Sequence, residues 1–154
     1  MKIDTNVAKY NQEYTPEQEE VVKHIISLEK SALEKWFKGD VSGYRNLWSK
    51  QSFTYFDGAR KERVENWDTI AKFLESIDGK LFANSFTFLN PRVQLRKDMA
   101  VLTFQLFAKT NLIDMEYNCV EVFQKEVVDW HVIHSTWSFI RPMDKDFEKI
   151  NVVV

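Results

Sequence analysis

The first quarter of the chain carries apolar residues every third or fourth position, which predicts one long amphipathic helix. Thr15 can cap this helix, and Gln18 completes a capping box with it. Lys35 suits the negative end of the helix, and Gly39 can adopt the left-handed conformation that ends it. The same spacing predicts two shorter helices, over about residues 40–48 and 67–77.

The second half of the chain alternates apolar and polar residues, which is the pattern of half-buried strands. Between residues 99 and 109, for example, every second side chain is apolar. The Asn90-Pro91 pair predicts a turn between two short strands. Long neighbouring strands joined by short turns favour antiparallel pairing. The predicted strands cover residues 53–56, 86–88, 93–95, 99–109, 115–124 and 127–140.

Helices followed by a run of strands predict an α+β fold in which N-terminal helices pack on one face of an antiparallel sheet. A chain of 154 residues has the length of one domain. We expect residues 15–142 to form that domain. Residues 1–14 are expected to be a flexible N-terminal tail, and residues 143–154 a C-terminal tail.

Composition argues against several classes of partner. The net charge is −2 with acidic and basic residues interspersed, so we expect no nucleic-acid binding. No apolar run approaches the roughly 20 residues that span a bilayer, and the first residues lack a hydrophobic signal region. Cys119 is the single cysteine, which precludes an internal disulfide and fits a reducing compartment. We therefore expect a cytoplasmic protein without membrane contact.

Motifs for a metal or an organic cofactor are missing from the sequence. All 4 glycines are isolated, so there is no glycine-rich phosphate loop. His131 and His134 lie three residues apart on one predicted strand and are expected to face opposite sides. His24 lies far from both in the chain, and Cys119 is expected to be a small buried apolar residue. We predict no metal site and no cofactor.

Four stretches of the chain carry a family resemblance, because their order and spacing agree with those of a known family. The last of them places Trp130 four residues before His134 and eight before Ser138. The chain resembles the nuclear-transport-factor-2-like (cystatin-like) superfamily over roughly residues 17–140. Within it, the likeness is to SnoaL-like proteins and to the association, or hub, domain of calcium/calmodulin-dependent kinase II. The four stretches are residues 53–57, 89–95, 98–108 and 130–138.

This resemblance implies a curved sheet whose concave face and helices enclose a conical pocket, and a homodimer through the outer sheet face. Superfamily members include ketosteroid isomerase, polyketide cyclases, dehydratases and binding or scaffold modules, so the fold alone does not fix the function. Matching the hub domain residue by residue places Leu106, Glu121 and Trp137 at its pocket positions. The hub has arginines there that bind small carboxylates. None of the three residues is basic here, which argues against carboxylate binding by that route.

Strand alternation, combined with this match, assigns side chains to the two faces of the sheet. An outer face as apolar as the one assigned would be a large exposed patch on a monomer, and burial in a dimer explains it. Side chains expected to point into the pocket are Tyr117, Cys119, Glu121, Phe123, Ile133, Ser135 and Trp137. Side chains expected on the outer face are Val101, Thr103, Gln105, Val120, Val122, Trp130, Val132 and His134.

Three pocket residues are candidates for catalysis. A carboxyl such as Glu121 inside an aromatic pocket has a raised pKa unless it is paired, and it can then act as a general base. The structural alternative is a pair with Arg45 or with a tyrosine hydroxyl. Asp57 ends a strand beside the pocket mouth, where it can position a substrate or simply make a turn. The Tyr55 hydroxyl can donate to a developing oxyanion, or it is an ordinary core tyrosine.

Two classes of function remain open from the sequence. The chain is either a binding or scaffold module whose pocket holds a small apolar or weakly polar molecule, or a cofactor-independent isomerase, cyclase or lyase. In the enzyme, Glu121 or Asp57 is the base and Tyr55 or Tyr117 the donor. A structural hub with a filled pocket is a third possibility, because aromatic residues also fill ordinary cores. The ligand-binding candidates are Tyr44, Trp48, Phe53, Leu106, Tyr117, Ser135 and Trp137.

Overall fold

The computed structural model describes residues 13–140. Residues 1–12 of the predicted N-terminal tail, the last two residues of the predicted domain and the whole predicted C-terminal tail, residues 143–154, lie outside the described residues. The described part has the predicted α+β fold, with a curved six-stranded sheet that does not close into a barrel. Its helices are α1 (Pro16–Trp36), α2 (Ser42–Leu47) and α3 (Trp67–Ile77). Its strands are β1 (Thr54–Asp57), β2 (Val64–Glu65), β3 (Phe86–Leu95), β4 (Met99–Lys109), β5 (Asp114–Lys125) and β6 (Trp130–Phe139).

Local signals in the sequence set both ends of α1. The Gln18 backbone N–H donates to Thr15 Oγ1 at 3.2 Å, and the Thr15 N–H donates to the Gln18 side chain at 3.0 Å. This capping box satisfies backbone donors that the first turn of a helix leaves unpaired. Beyond the other end of α1, Gly39 has a φ of 79°, a backbone conformation that glycine adopts without strain. The chain reverses there and enters α2.

The sheet is mixed rather than antiparallel. The strand order is β2-β1-β6-β5-β4-β3, and β1 pairs with β6 in the parallel direction, with Tyr55 opposite Ser135. The prediction of an antiparallel sheet is therefore wrong for this pair and correct for the others. The reason is that hairpins force antiparallel pairing only between strands that follow each other closely. Here residues 58–129, nearly half of the chain, separate β1 from β6.

Strand β3 runs through the predicted turn at Asn90-Pro91. The pairing of β3 with β4 shifts between Leu89 and Arg92, and Asn90 has a φ of 50°, so the two residues form a bulge within one strand. The sequence prediction of two short strands is wrong here. Proline lacks a backbone N–H, but β3 lies at the edge of the sheet, where a bulge accommodates that loss.

A second bulge, in β6, reverses part of the face assignment. Val122 pairs with His134 and Phe123 with Val132, which leaves Ile133 as the extra residue. Val132 is fully buried although it was assigned to the outer face, and Trp130 is buried as well. Ile133, assigned to the pocket, is half-buried on the other side of the strand. A one-residue insertion exchanges the two faces, because side chains alternate along a strand.

The same bulge brings His131 and His134 onto one face. They stand opposite Gln124 and Val122 of β5, two residues that share the outer face of that strand. The prediction that these histidines face opposite sides is therefore wrong. The strand also starts later than predicted, because Val127 and Val128 lie exposed in the preceding turn.

Helix α2 positions aromatic side chains in the space between α1 and the concave face of the sheet. A Cβ atom on Gly43 would lie 2.8 Å from the Ala32 Cα, so only a residue without a side chain allows α2 to approach α1 this closely. Tyr44 follows directly and is buried, with its ring 5.4 Å from that of Trp36 in edge-to-face contact. The close helix packing therefore positions the wall of the site. Among residues 13–140, no helix has the length and apolarity needed to cross a membrane.

Candidate functional site

A cavity of about 230 Å³ lies between the helices and the concave face of the sheet. Its rim is formed by α3, by the turn after β1 and by the β4–β5 hairpin, including Ala59, Leu112 and Ile113. Among the described lining residues, Asp57 is the only charged one, and the rest of the wall is mainly aromatic and aliphatic. The aromatic lining residues are Trp36, Tyr44, Trp48, Tyr55, Phe73, Tyr117 and Trp137.

Most of the predicted ligand-binding residues border this cavity. They are Tyr44, Trp48, Leu106, Tyr117 and Trp137. Phe53 does not line it but stacks behind Trp48, with ring centroids 4.6 Å apart. Ser135 is fully buried beneath Trp137 and also does not reach the cavity. The alternation of the strands predicted the correct face, but a larger aromatic ring stands in front of each of these two side chains.

Glu121 lies behind the cavity wall rather than on it. The carboxyl is fully buried, and its Oε1 accepts a hydrogen bond from Ser135 Oγ at 2.7 Å. The Trp137 Nε1–H donates in turn to Ser135 Oγ at 2.6 Å. The partner is therefore a serine, and neither Arg45 nor a tyrosine takes the place that the structural alternative gave them. Glu121 Oε2 has no hydrogen-bond partner within the described part of the chain.

A second buried acid, Glu29 of α1, escaped the sequence analysis. Its side chain is fully buried, and the Tyr44 hydroxyl donates to Glu29 Oε1 at 2.7 Å. Across residues 13–140, Glu29 Oε2 lacks a hydrogen-bond partner. The sequence does contain a signal for it. Glu29 lies four residues after Ile25 and four before Leu33, so it occupies the apolar stripe of α1, where an acid is unexpected.

Burial keeps both acids protonated to higher pH than usual. Desolvation raises the pKa of Glu29 to about 8, and the hydrogen bond from Tyr44 acts in the opposite direction. Desolvation, and next the charge of Glu29, raise the pKa of Glu121 well above its usual range, while the Ser135 bond lowers it. The two carboxyls influence each other, so ionisation of one opposes ionisation of the other.

Each buried acid is hydrogen-bonded to the cavity wall. Tyr44 reaches Glu29 directly, and Trp137 reaches Glu121 through Ser135. The Tyr44 and Trp137 rings themselves meet edge-to-face, with centroids 5.9 Å apart. The acids therefore fix the orientation of two wall residues, and neither carboxyl lines the cavity.

Asp57 is the candidate carboxylate that lines the cavity. Its Oδ1 accepts from the Ala59 N–H at 2.8 Å, which is the turn expected for Asp before Gly, and Arg60 Nε lies 3.2 Å from its Oδ2. Tyr55 lies two residues earlier on the same strand, and both side chains line the cavity. Burial raises the pKa of Tyr55 well above its usual range, and the charge of Asp57 raises it further. The structure thus brings Asp57 and Tyr55 together at the cavity.

The remaining candidates take part in local structure. His134 makes ring-nitrogen hydrogen bonds with Thr54 at 2.7 Å and Thr136 at 2.6 Å. Burial lowers the pKa of His134, which favours the neutral ring. Cys119 is buried, and burial raises the pKa of its thiol, so it is protonated at neutral pH. Within residues 13–140 there is no group of three or more His, Cys, Asp or Glu side chains that could hold a metal ion.

Sequence comparison identifies the family. Residues 27–142 match the model of the SnoaL-like domain, which is more than half of the chain. The chain belongs to the SnoaL-like domain family. The match covers α2, α3, the whole sheet and the C-terminal part of α1, so this SnoaL-like domain includes every residue that lines the cavity. Among curated proteins, none matches the chain by sequence.

Solved structures similar to this SnoaL-like domain share its fold. A candidate ketosteroid isomerase from Parabacteroides distasonis ATCC 8503 has a TM-score of 0.71 and 28% identity, covering 87% of this chain and 98% of that one. An NTF2-like protein of unknown function from Pseudomonas putida KT2440 has a TM-score of 0.70 and 14% identity, covering 82% and 91%. A CaMKII hub from S. rosetta has a TM-score of 0.61 and 18% identity, covering 82% and 98%. The resemblance to the NTF2-like superfamily inferred from the sequence is confirmed.

Proposed function

We propose that this SnoaL-like domain binds one small, largely apolar molecule in its cavity. The observation that carries the proposal is the wall itself, which combines seven aromatic residues with a single carboxylate among the described lining residues. Ligand pockets commonly have this composition, with an apolar body and few polar groups that fix orientation. Drug-sized ligands occupy roughly 300–1,000 Å³. A cavity of about 230 Å³ therefore suits a smaller molecule, such as one with a single ring.

In this proposal the residues divide into contacting and supporting groups. Supporting residues lie behind the wall: Phe53 stacks on Trp48, and Ser135 holds the Trp137 indole. Aromatic rings held in this way offer a rigid apolar surface that loses little conformational entropy on binding. The residues proposed to contact the ligand are Tyr44, Trp48, Leu106, Tyr117 and Trp137.

Closing the cavity mouth tests this function. Ala59 is exposed and borders the cavity, so a tryptophan there fills the mouth without displacing the core. We expect saturation-transfer NMR to detect binding of p-cresol to the wild-type protein and a loss of at least about fivefold in affinity in Ala59→Trp. Ser52→Trp, at an exposed position outside the cavity, is the matched control and should bind like wild type. Equal binding by both variants would contradict a ligand site in this cavity.

A cofactor-independent isomerase, cyclase or lyase is the second candidate function. It is favoured by the Asp57 carboxylate at the cavity with Tyr55 beside it, a base and a hydrogen-bond donor in one place. The similar structure named as a candidate ketosteroid isomerase supports the same reading. Glu121 enters this mechanism as a positioning residue, because Trp137 and Ser135 separate it from the cavity. Asp57→Asn distinguishes the two functions, since it abolishes turnover in the enzyme but preserves p-cresol binding in a binding module.

Self-association through the outer sheet face is proposed as well. Val101 and Val122 stand directly opposite each other on β4 and β5, and Val120 lies nearby on the same half-buried face. Pairing of two such faces removes this apolar surface from water. We expect sedimentation velocity at micromolar concentration to show a dimer for wild type and a monomer for Val120→Lys. Ser76→Lys, on the exposed side of α3, should remain dimeric. A monomeric wild-type protein would contradict the proposal. A cytoplasmic location stays a prediction from the sequence.

A further inference from the structure

We infer that the cavity selects a small organic cation, namely a protonated or quaternary amine attached to an apolar body. The inference rests on the proposed binding function and specifies its ligand class. It follows from three features of the described residues: the charge of the wall, a cation of the chain itself that already lies at the rim, and two buried acids behind the wall, each with one oxygen that lacks a hydrogen-bond partner.

The wall offers favourable electrostatics to a cation. The faces of aromatic rings carry partial negative charge, and rings that surround a cation within about 6 Å attract it. Tyr44 and Trp48 stand next to each other in the wall, with ring centroids 5.2 Å apart. Asp57 adds a full negative charge, and none of the described lining residues is basic. An anionic ligand would meet this carboxylate with no basic residue in the lining, and the nearby Arg60 is already paired with Asp57.

Arg60 shows that the rim of the cavity accepts a cation. Its guanidinium carbon lies 4.4 Å from the centroid of the Phe73 ring, and its Nε lies 3.2 Å from Asp57 Oδ2. Phe73 and Asp57 both line the cavity, whereas Arg60 does not. The chain therefore already places an organic cation between an aromatic face and a carboxylate. The Arg60 side chain is 38% exposed, so an incoming amine can displace it into solvent.

The acids behind the wall are held protonated by burial, and a cation in the cavity favours their ionisation. Glu29 and Glu121 are fully buried, and each has one oxygen without a hydrogen-bond partner across the described residues. Once ionised, each acid acts on Tyr44, because its charge raises the pKa of that wall residue, after burial itself. An ammonium group in the cavity stabilises the ionised form of either acid. A neutral ligand gains nothing from these two carboxyls.

Three probes with the same apolar body test the ligand class. Benzylamine, benzyl alcohol and benzoate are positive, neutral and negative at pH 7. Saturation-transfer NMR titrations on the full chain should rank benzylamine first by at least about tenfold over benzyl alcohol, and benzoate last. Asp57→Asn should lower the affinity for benzylamine several-fold and that for benzyl alcohol by a clearly smaller factor, since only the cation loses a full charge interaction. Asparagine retains the side-chain oxygen that accepts from the Ala59 N–H, so the turn is preserved.

The resident cation provides a second test with a matched control. Arg60→Ala vacates the Phe73 face and frees Asp57, so we expect it to raise the affinity for benzylamine several-fold. Lys61→Ala removes the same charge from the neighbouring exposed residue, outside the cavity, and should have little effect. Benzyl alcohol or benzoate binding as tightly as benzylamine, with sensitivity to Ala59→Trp, would overturn the cation preference and retain the binding site. Failure of all three probes and of p-cresol to bind would overturn the binding function itself.

Discussion

Replacing Glu29 by glutamine is expected to raise the free energy of unfolding by about 3 kcal/mol at pH 8 and to change it little at pH 5. The folded protein keeps the Glu29 proton up to about pH 8, whereas the unfolded carboxyl loses it near pH 4.5. Between these values the native state binds more protons than the unfolded state. The wild-type protein therefore loses stability as the pH rises, by about 1.4 kcal/mol per pH unit for one proton.

Glutamine removes this dependence because it has no proton to lose. Its side-chain oxygen still accepts from the Tyr44 hydroxyl, and its NH₂ group takes the position of the unpartnered Glu29 Oε2. The expected gain in the free energy of unfolding at pH 8 is smaller than the value that corresponds to the whole pKa shift of Glu29. The reason is that Glu121 also titrates, and its ionisation is coupled to that of Glu29. Glu121→Gln should act in the same direction.

Urea unfolding followed by tryptophan fluorescence between pH 5 and pH 9 measures this effect. Glu34→Gln, which removes an exposed carboxylate from the same helix, is the matched control and should leave the wild-type pH profile intact. A wild-type stability that increases from pH 5 to pH 8, or equal profiles for Glu29→Gln and Glu34→Gln, would show that the buried carboxyl does not control the alkaline limit of the fold.

Replacing Trp137 by alanine is expected to lower the free energy of unfolding by about 3–5 kcal/mol. The ring is buried and meets Tyr44, Phe104 and Tyr117 edge-to-face, with centroids 5.9, 5.9 and 6.4 Å away. The Nε1–H donates to Ser135, which holds Glu121. Alanine removes the ring contacts, leaves a larger cavity and deprives Ser135 of its donor.

A phenylalanine variant separates the contribution of the ring from that of the hydrogen bond. Trp137→Phe keeps an aromatic ring and loses the donor, so we expect a cost of about 1–3 kcal/mol. Trp67→Ala serves as the control because Trp67 is half-buried at the start of α3, and its loss should cost less than that of Trp137. Urea denaturation of Trp137→Ala, Trp137→Phe and Trp67→Ala measures the change in the free energy of unfolding for each variant. If Trp137→Ala costs no more than Trp67→Ala, the cavity wall does not stabilise the fold as described.

The sequence alone determined the elements whose signals are local. The capping box at Thr15 and the left-handed Gly39 set the ends of α1, and both depend only on residues within a few positions. Strict alternation in β4 predicted its bounds, Met99–Lys109, because one buried face imposes a period of two. The same alternation, with the family resemblance, placed Tyr117 and Trp137 on the cavity side.

Tertiary structure decided what depends on contacts between distant segments. The parallel pairing of β1 with β6 and the bulge at Ile133 depend on how strands pair with each other. No local sequence pattern predicts either feature. The buried acids show the same limit. Glu121 was found from the sequence, but its serine partner and its place behind Trp137 follow only from the folded packing. Glu29 belongs to a helix far away in the chain, and only the closure of α1 over the sheet places both acids behind one aromatic wall.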